Sequence, residues 1–119
     1  MMARLWRRAS AMGAGLVLAT AATPVWSSDA LMTVQYVCER EALVTATYVN
    51  SADASFVVVS VEGQQVGLTQ VQSASGAKYA QATDGQGYIW WTKGDEAFLT
   101  WGIAQSGEDE TLLSQCKAR

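Results

Sequence analysis

Past residue 33 the chain alternates apolar and polar residues in short runs, and each run stops at a cluster of turn-forming residues. Val34, Tyr36 and Cys38 alternate with Gln35, Val37 and Glu39, up to a charged corner at Glu39-Arg40-Glu41. Residues 43–49 (LVTATYV) are β-branched and aromatic and end at Asn50-Ser51-Ala52-Asp53. Residues 56–61 (FVVVSV) form a nearly continuous apolar run, which predicts a central strand, and Glu62-Gly63-Gln64 turns the chain. Val66, Leu68 and Gln70 then alternate with Gly67, Thr69 and Val71. Period-2 runs broken by turn chemistry are the signature of strands.

The pattern persists to the end. A short strand is expected over 78–83, a turn at Asp84-Gly85-Gln86-Gly87 and an aromatic strand over 88–92. Lys93-Gly94-Asp95 reverses the chain into a strand over 96–101. Residues 105–110 (QSGEDE) read as a polar, acidic loop, and 112–116 as a last short strand. About eight short strands with regular turns predict an all-β fold, a sheet, sandwich or small antiparallel barrel of about eight strands. Closing the sheet would remove edges that invite aggregation.

The first residues do not fit this pattern. Arg4, Arg7 and Arg8 precede an apolar run over 9–22, Pro24 follows, and small residues stand at Ser27 and Ser28. That is the layout of a secretory signal peptide. The run is shorter than the ~20 residues that span a bilayer. The expected organisation is a signal peptide over 1–28 and one domain over 29–119. All eleven acidic residues but only five of the eight basic ones lie beyond residue 28, so the mature domain carries about −6. Such a domain is a poor partner for nucleic acid and suits a cationic one.

Two cysteines, Cys38 and Cys116, stand near the two ends of the domain. In an exported protein the default is a disulfide between them. The residues before Cys38 (Gln35-Tyr36-Val37) do not form a lipidation signal, so a soluble periplasmic protein is expected.

Catalytic chemistry is hard to assemble from this chain. It has no histidine, which removes the usual general base and the commonest metal ligand. With the thiols bonded, no nucleophilic Cys or thiolate zinc site remains. Glu108-Asp109-Glu110 reads as a solvated charge run, and Gly85-x-Gly87 lacks the helix a phosphate loop needs. No enzyme activity, metal or cofactor is expected.

The residues that suggest recognition lie within 73–97. Ser75-Gly76 is a tight turn ahead of Lys78 and Tyr79, and Lys93-Gly94 is a second turn after Trp90-Trp91. Read from spacing alone, these are ordinary hairpin turns with glycines free to take positive φ. Alternation along 88–92 directs one of the two tryptophans inward and the other outward. An outward aromatic beside Lys93 makes a recognition ridge of the kind found in interface hot spots.

The words S-G-A-K-Y (75–79) and W-x-K-G-x-E-A (91–97), with Tyr36-x-Cys38, Tyr48-x-Asn50, Gly63, Leu68 and Cys116 in order, are similar to the Gram-negative inhibitors of c-type lysozyme, in their membrane-bound and periplasmic forms. The resemblance covers essentially the whole mature chain. It departs at Glu41, where the family has Gly, and at Lys78, which replaces a frequent Arg. The resemblance implies an eight-stranded barrel with its ends tied by a disulfide, and a c-type lysozyme, typically strongly basic, as partner. It implies that Ser75 and Lys93 enter the enzyme's cleft against its catalytic carboxyls. Ser75, Gly76, Lys78, Tyr79, Trp91, Lys93 and Gly94 are the expected lysozyme-binding residues, with Tyr79 bracing the first loop or packing at the cleft edge. Two other readings remain open: a sugar-binding β-module stacking on Trp90, Trp91 and Trp101, and, with little interior space for it, a hollow-barrel carrier of a small ligand.

Overall fold

In the computed structural model, residues 30–82 and 84–119 are described. The signal peptide expected over 1–28, residue 29 at the expected domain start, and Thr83 lie outside the described residues.

Eight strands close into one antiparallel barrel in chain order: β1 (Leu31–Val37), β2 (Leu43–Asn50), β3 (Ser55–Val61), β4 (Gln64–Val71), β5 (Ala77–Ala80), β6 (Gln86–Lys93), β7 (Glu96–Ile103) and β8 (Glu108–Ala118). Closure runs through β1 and β8, where Tyr36 faces Ala118 and Val37 faces Lys117. The eight-stranded barrel expected from the turn spacing and the resemblance is the observed fold.

Alternation decides which side chains fill the interior. Val44, Ala46 and Tyr48 of β2, Val57, Val59 and Val61 of β3, and Val66 and Leu68 of β4 point inward and are buried. Trp90 of β6 and Leu99 of β7 face each other across the sheet and join this core. In a closed barrel every strand has one inside and one outside. The run 56–61 is therefore no central strand: Phe56, Val58 and Ser60 face outward, and Phe56 is 39% exposed. Its continuous apolar appearance arises because Val58 adds an outward β-branched residue where a polar one would have served.

The acidic segment also differs from expectation. Glu108, Asp109 and Glu110 open β8 and pair with Ile103, Gly102 and Trp101. Only the turn at 104–107 is a loop. The carboxylates are tolerated on the strand because all three residues are exposed.

Cys38 and Cys116 are bonded, 78 residues apart in sequence. Beside Cys38 the chain turns through a single 3-10 turn (Glu39–Glu41). There Arg40 and Glu41 both take left-handed backbone angles, with φ of 57° and 61°. Glu39 accepts a hydrogen bond from the Ser114 hydroxyl of β8 at 2.9 Å, which ties the corner to the barrel. The Gly that the resemblance leads us to expect at position 41 would meet a real conformational demand, since a Cβ in this region costs about 1–2 kcal/mol. Glu41→Gly is expected to raise stability by ~0.5–1 kcal/mol after the entropy of the freer unfolded chain is counted. A thermal melt showing a lower Tm for the variant would contradict this.

Alternate turns lie at the same end of an antiparallel barrel. The 51–54, 72–76 and 94–95 connections are therefore at one end. That topology brings the two turns of interest together.

Candidate functional site

The site is assembled on the outer face of the β5–β6–β7 sheet. Along β6, Trp90 points into the barrel with no exposed surface, and Trp91 points outward and is half-buried. The β6–β7 turn holds two residues, Gly94 and Asp95, with Lys93 paired to Glu96. This register sets Phe98 directly opposite Trp91, with ring centroids 5.4 Å apart. Sequence reading missed Phe98 because a three-residue turn at Lys93-Gly94-Asp95 shifts the register by one and turns Phe98 away.

Trp91 is the anchor for everything around it. Its indole Nε1 donates a 2.9 Å hydrogen bond to the carbonyl of Ser75. The Ser73 hydroxyl donates to the same carbonyl at 2.6 Å. The 72–76 loop is thereby pinned to β6 across sixteen residues of sequence. Gly76 makes the close approach possible. Its φ is +67°, and a Cβ there would stand 2.2 Å from the Thr92 carbonyl and 2.8 Å from Lys93 Cγ. No other residue fits between the loop and the strand.

Two ammonium groups lie over the Trp91 ring, Lys78 at 4.6 Å and Lys93 at 4.8 Å from its centroid. Such contacts contribute about 0.5–1 kcal/mol when exposed and ~2 when desolvated. The two lysines differ in setting. Lys78, on β5 opposite Trp91, is only 9% exposed, and its ammonium also donates to the Ala104 carbonyl at 3.4 Å. It acts as a strut beneath the indole. Lys93 is exposed and forms no ion pair among the described residues. Glu96, its cross-strand neighbour, is instead held by Lys117 at 3.2 Å. Glu96 and then Asp95 raise the Lys117 pKa. The Ser75 hydroxyl is exposed and likewise has no partner among the described residues.

Of the seven candidate residues, the structure gathers Ser75, Gly76, Lys78, Trp91 and Lys93 on one outer edge. Gly94 forms the adjoining turn with φ of +63°. Tyr79 lies on the other face: it is 5% exposed, inside the barrel, with its ring 5.8 Å from that of Tyr48. It braces β5 from within. The arrangement presents a free cation and a free hydroxyl, held by a rigid indole, on a predominantly acidic domain. It contains no acid–base pair. Among the described residues no cluster of His, Cys, Asp and Glu could hold a metal ion.

The three tryptophans do not make a common stacking platform. Trp90 is buried in the core, and Trp101 lies toward the far end of the β6–β7 hairpin, edge-on to Tyr88 at 5.0 Å. The sugar-module reading loses its structural basis.

Comparison with known proteins agrees with this architecture. Residues 36–106 match the family described as membrane-bound lysozyme-inhibitor of c-type lysozyme. The chain is similar to the "Membrane-bound lysozyme inhibitor of C-type lysozyme" of Pseudomonas aeruginosa, 45% identical over 87 residues, covering 72% of this chain and 64% of that protein. It is similar to the protein of the same name from Cupriavidus necator, 35% identical over 72% of this chain and 65% of that one. The match thus spans a little under two thirds of each relative's length. Among solved structures, the periplasmic lysozyme inhibitor of C-type lysozyme from Salmonella typhimurium superposes with a TM-score of 0.61 at 26% identity, covering 75% of this chain and 98% of that one. Pseudomonas aeruginosa MliC, solved in complex with hen egg white lysozyme, superposes with a TM-score of 0.57 at 35% identity, covering 85% of this chain and 98% of that one.

Proposed function

The chain belongs to the family of membrane-bound lysozyme inhibitors of c-type lysozyme, and on that premise we propose that it is a non-catalytic inhibitor of a c-type lysozyme, acting in the periplasm to protect peptidoglycan. The outer edge built on Trp91 enters the enzyme's cleft. The observation that carries this reading is the pairing of two unsatisfied polar groups, the Ser75 hydroxyl and the Lys93 ammonium, on loops fixed to one indole.

The chemistry follows from the enzyme's need. A retaining glycosidase works with one protonated and one ionised carboxyl flanking the sugar. The Lys93 ammonium placed between them favours ionisation of both. The Ser75 hydroxyl donates to one carboxylate, and the two loops fill the space of the substrate. Because the loops are already held, little ordering entropy opposes binding. The acidic domain and a basic enzyme attract each other over a Debye length of ~8–10 Å at physiological salt, which speeds encounter.

Titrating the purified protein into a c-type lysozyme that is digesting cell walls tests this. Turnover is expected to fall to zero near molar equivalence, and raised salt to slow the onset. Unchanged turnover at a clear molar excess overturns the reading.

A further inference from the structure

The barrel is not filled at the end that carries the two turns. A cavity of about 420 Å³ opens there, lined chiefly by Met32, Val34, Tyr36, Tyr48, Tyr79 and Thr92, with Asp95 at its rim. Its size lies within the range of small-molecule sites, and an apolar cavity of ~150 Å³ is already enough for benzene.

The hydroxyls in this cavity are not equivalent. Tyr36 and Tyr48 share a hydrogen bond of 2.7 Å, and Trp90 Nε1 donates to the Tyr48 oxygen at 2.9 Å. Both of these hydroxyls are thus engaged, although the one bond between them uses only one of their two protons. Tyr79 is as buried as Tyr36, yet its hydroxyl has no hydrogen-bond partner among the described residues. A buried donor left unpaired is rare and calls for a partner. Burial, and then the neighbouring Tyr48, raise the Tyr79 pKa, so the hydroxyl keeps its proton to donate.

We propose that the barrel mouth binds a small uncharged ring compound carrying one hydrogen-bond acceptor, which accepts a hydrogen bond from the Tyr79 hydroxyl and packs against the rings of Tyr36 and Tyr48. Aromatic edge-to-face contacts supply the packing. No cationic side chain lines the cavity and Asp95 stands at its mouth, so an anion is disfavoured. The site faces into the barrel, on the other side of β6 from Trp91, and meets the outer edge at the Gly94-Asp95 turn. The proposal stands or falls independently of the lysozyme reading, because it is tested without lysozyme.

The probes are benzyl alcohol, toluene and benzoate, titrated separately into the isotope-labelled full chain and followed by amide chemical shifts. Benzyl alcohol is expected to give saturable shifts confined to Tyr36, Tyr48, Tyr79, Thr92 and their neighbours, and benzoate to bind at least tenfold more weakly. Tyr79→Phe should weaken benzyl alcohol about tenfold, the effect of one buried hydrogen bond, and leave toluene unchanged. Met32→Trp, at a residue 50% exposed on the rim, should abolish the saturable shifts without disturbing the fold. Linear or scattered shifts, equal binding of benzoate, or a Tyr79→Phe variant that holds benzyl alcohol as well as the parent would each overturn the proposal.

Discussion

Lys93→Ala is expected to weaken inhibition of a c-type lysozyme by about 100-fold while lowering the melting temperature by only about 2–8 °C. The first number follows from the proposed setting. Truncating one member of a desolvated, hydrogen-bonded charge pair costs about 2–5 kcal/mol, largely because the partner charges are left buried and unpaired. The second follows from the structure. Lys93 is exposed, makes no ion pair among the described residues, and contributes only its contact with the Trp91 ring, worth about 0.5–1 kcal/mol. Ser75→Ala removes a hydrogen bond to a charged acceptor and is expected to cost about tenfold, without loss of stability, because the Ser75 carbonyl and not its hydroxyl holds the loop. Inhibition assays and thermal melts on the same preparations check both numbers. A Tm loss as large as the inhibition loss would assign these residues to the fold.

Replacing both cysteines with alanine is expected to lower stability by about 4 kcal/mol, the chain-entropy value for a closed loop of this length. For a domain of this size that is a fall in Tm of roughly 15–30 °C. The bond joins residues 78 apart, so it constrains nearly the whole unfolded domain. Both sulfurs are buried, Cys116 completely, and alanine avoids placing an unpaired hydroxyl there. Since net stabilities are typically about 5–15 kcal/mol, the variant would be marginal. Its inhibition at low temperature should survive, because the Trp91 edge is held by its own hydrogen bonds. A melt within a few degrees of the parent's would show that the barrel does not depend on the bond.

Much of this was legible in the sequence, for identifiable reasons. Glycine-rich turns punctuate period-2 runs, so the strand number and the barrel could be read. The two isolated cysteines gave the disulfide. Alternation showed that Trp90 and Trp91 must point opposite ways, although which was inward depended on the whole barrel. The failures also have physical causes. Residues 56–61 looked doubly buried because outward Val58 and Phe56 are apolar. The acidic residues 108–110 looked like loop because charge is rare in strands, yet they are exposed on β8. One residue of turn length hid Phe98, and Tyr79 sits next to Lys78 in sequence but on the opposite face of β5. The cavity was invisible, since its lining comes from strands distant in the chain and depends on how far side chains reach.

Competition for the cleft tests the central claim most directly. The affinity of the purified protein for a c-type lysozyme would be measured by calorimetry with and without a saturating oligomer of N-acetylglucosamine in the enzyme's cleft. If the Ser75 and Lys93 loops occupy that cleft, the apparent Kd must rise as the inverse of the fraction of enzyme whose cleft is free of oligomer. An unchanged Kd, with both ligands bound at once, would contradict the account.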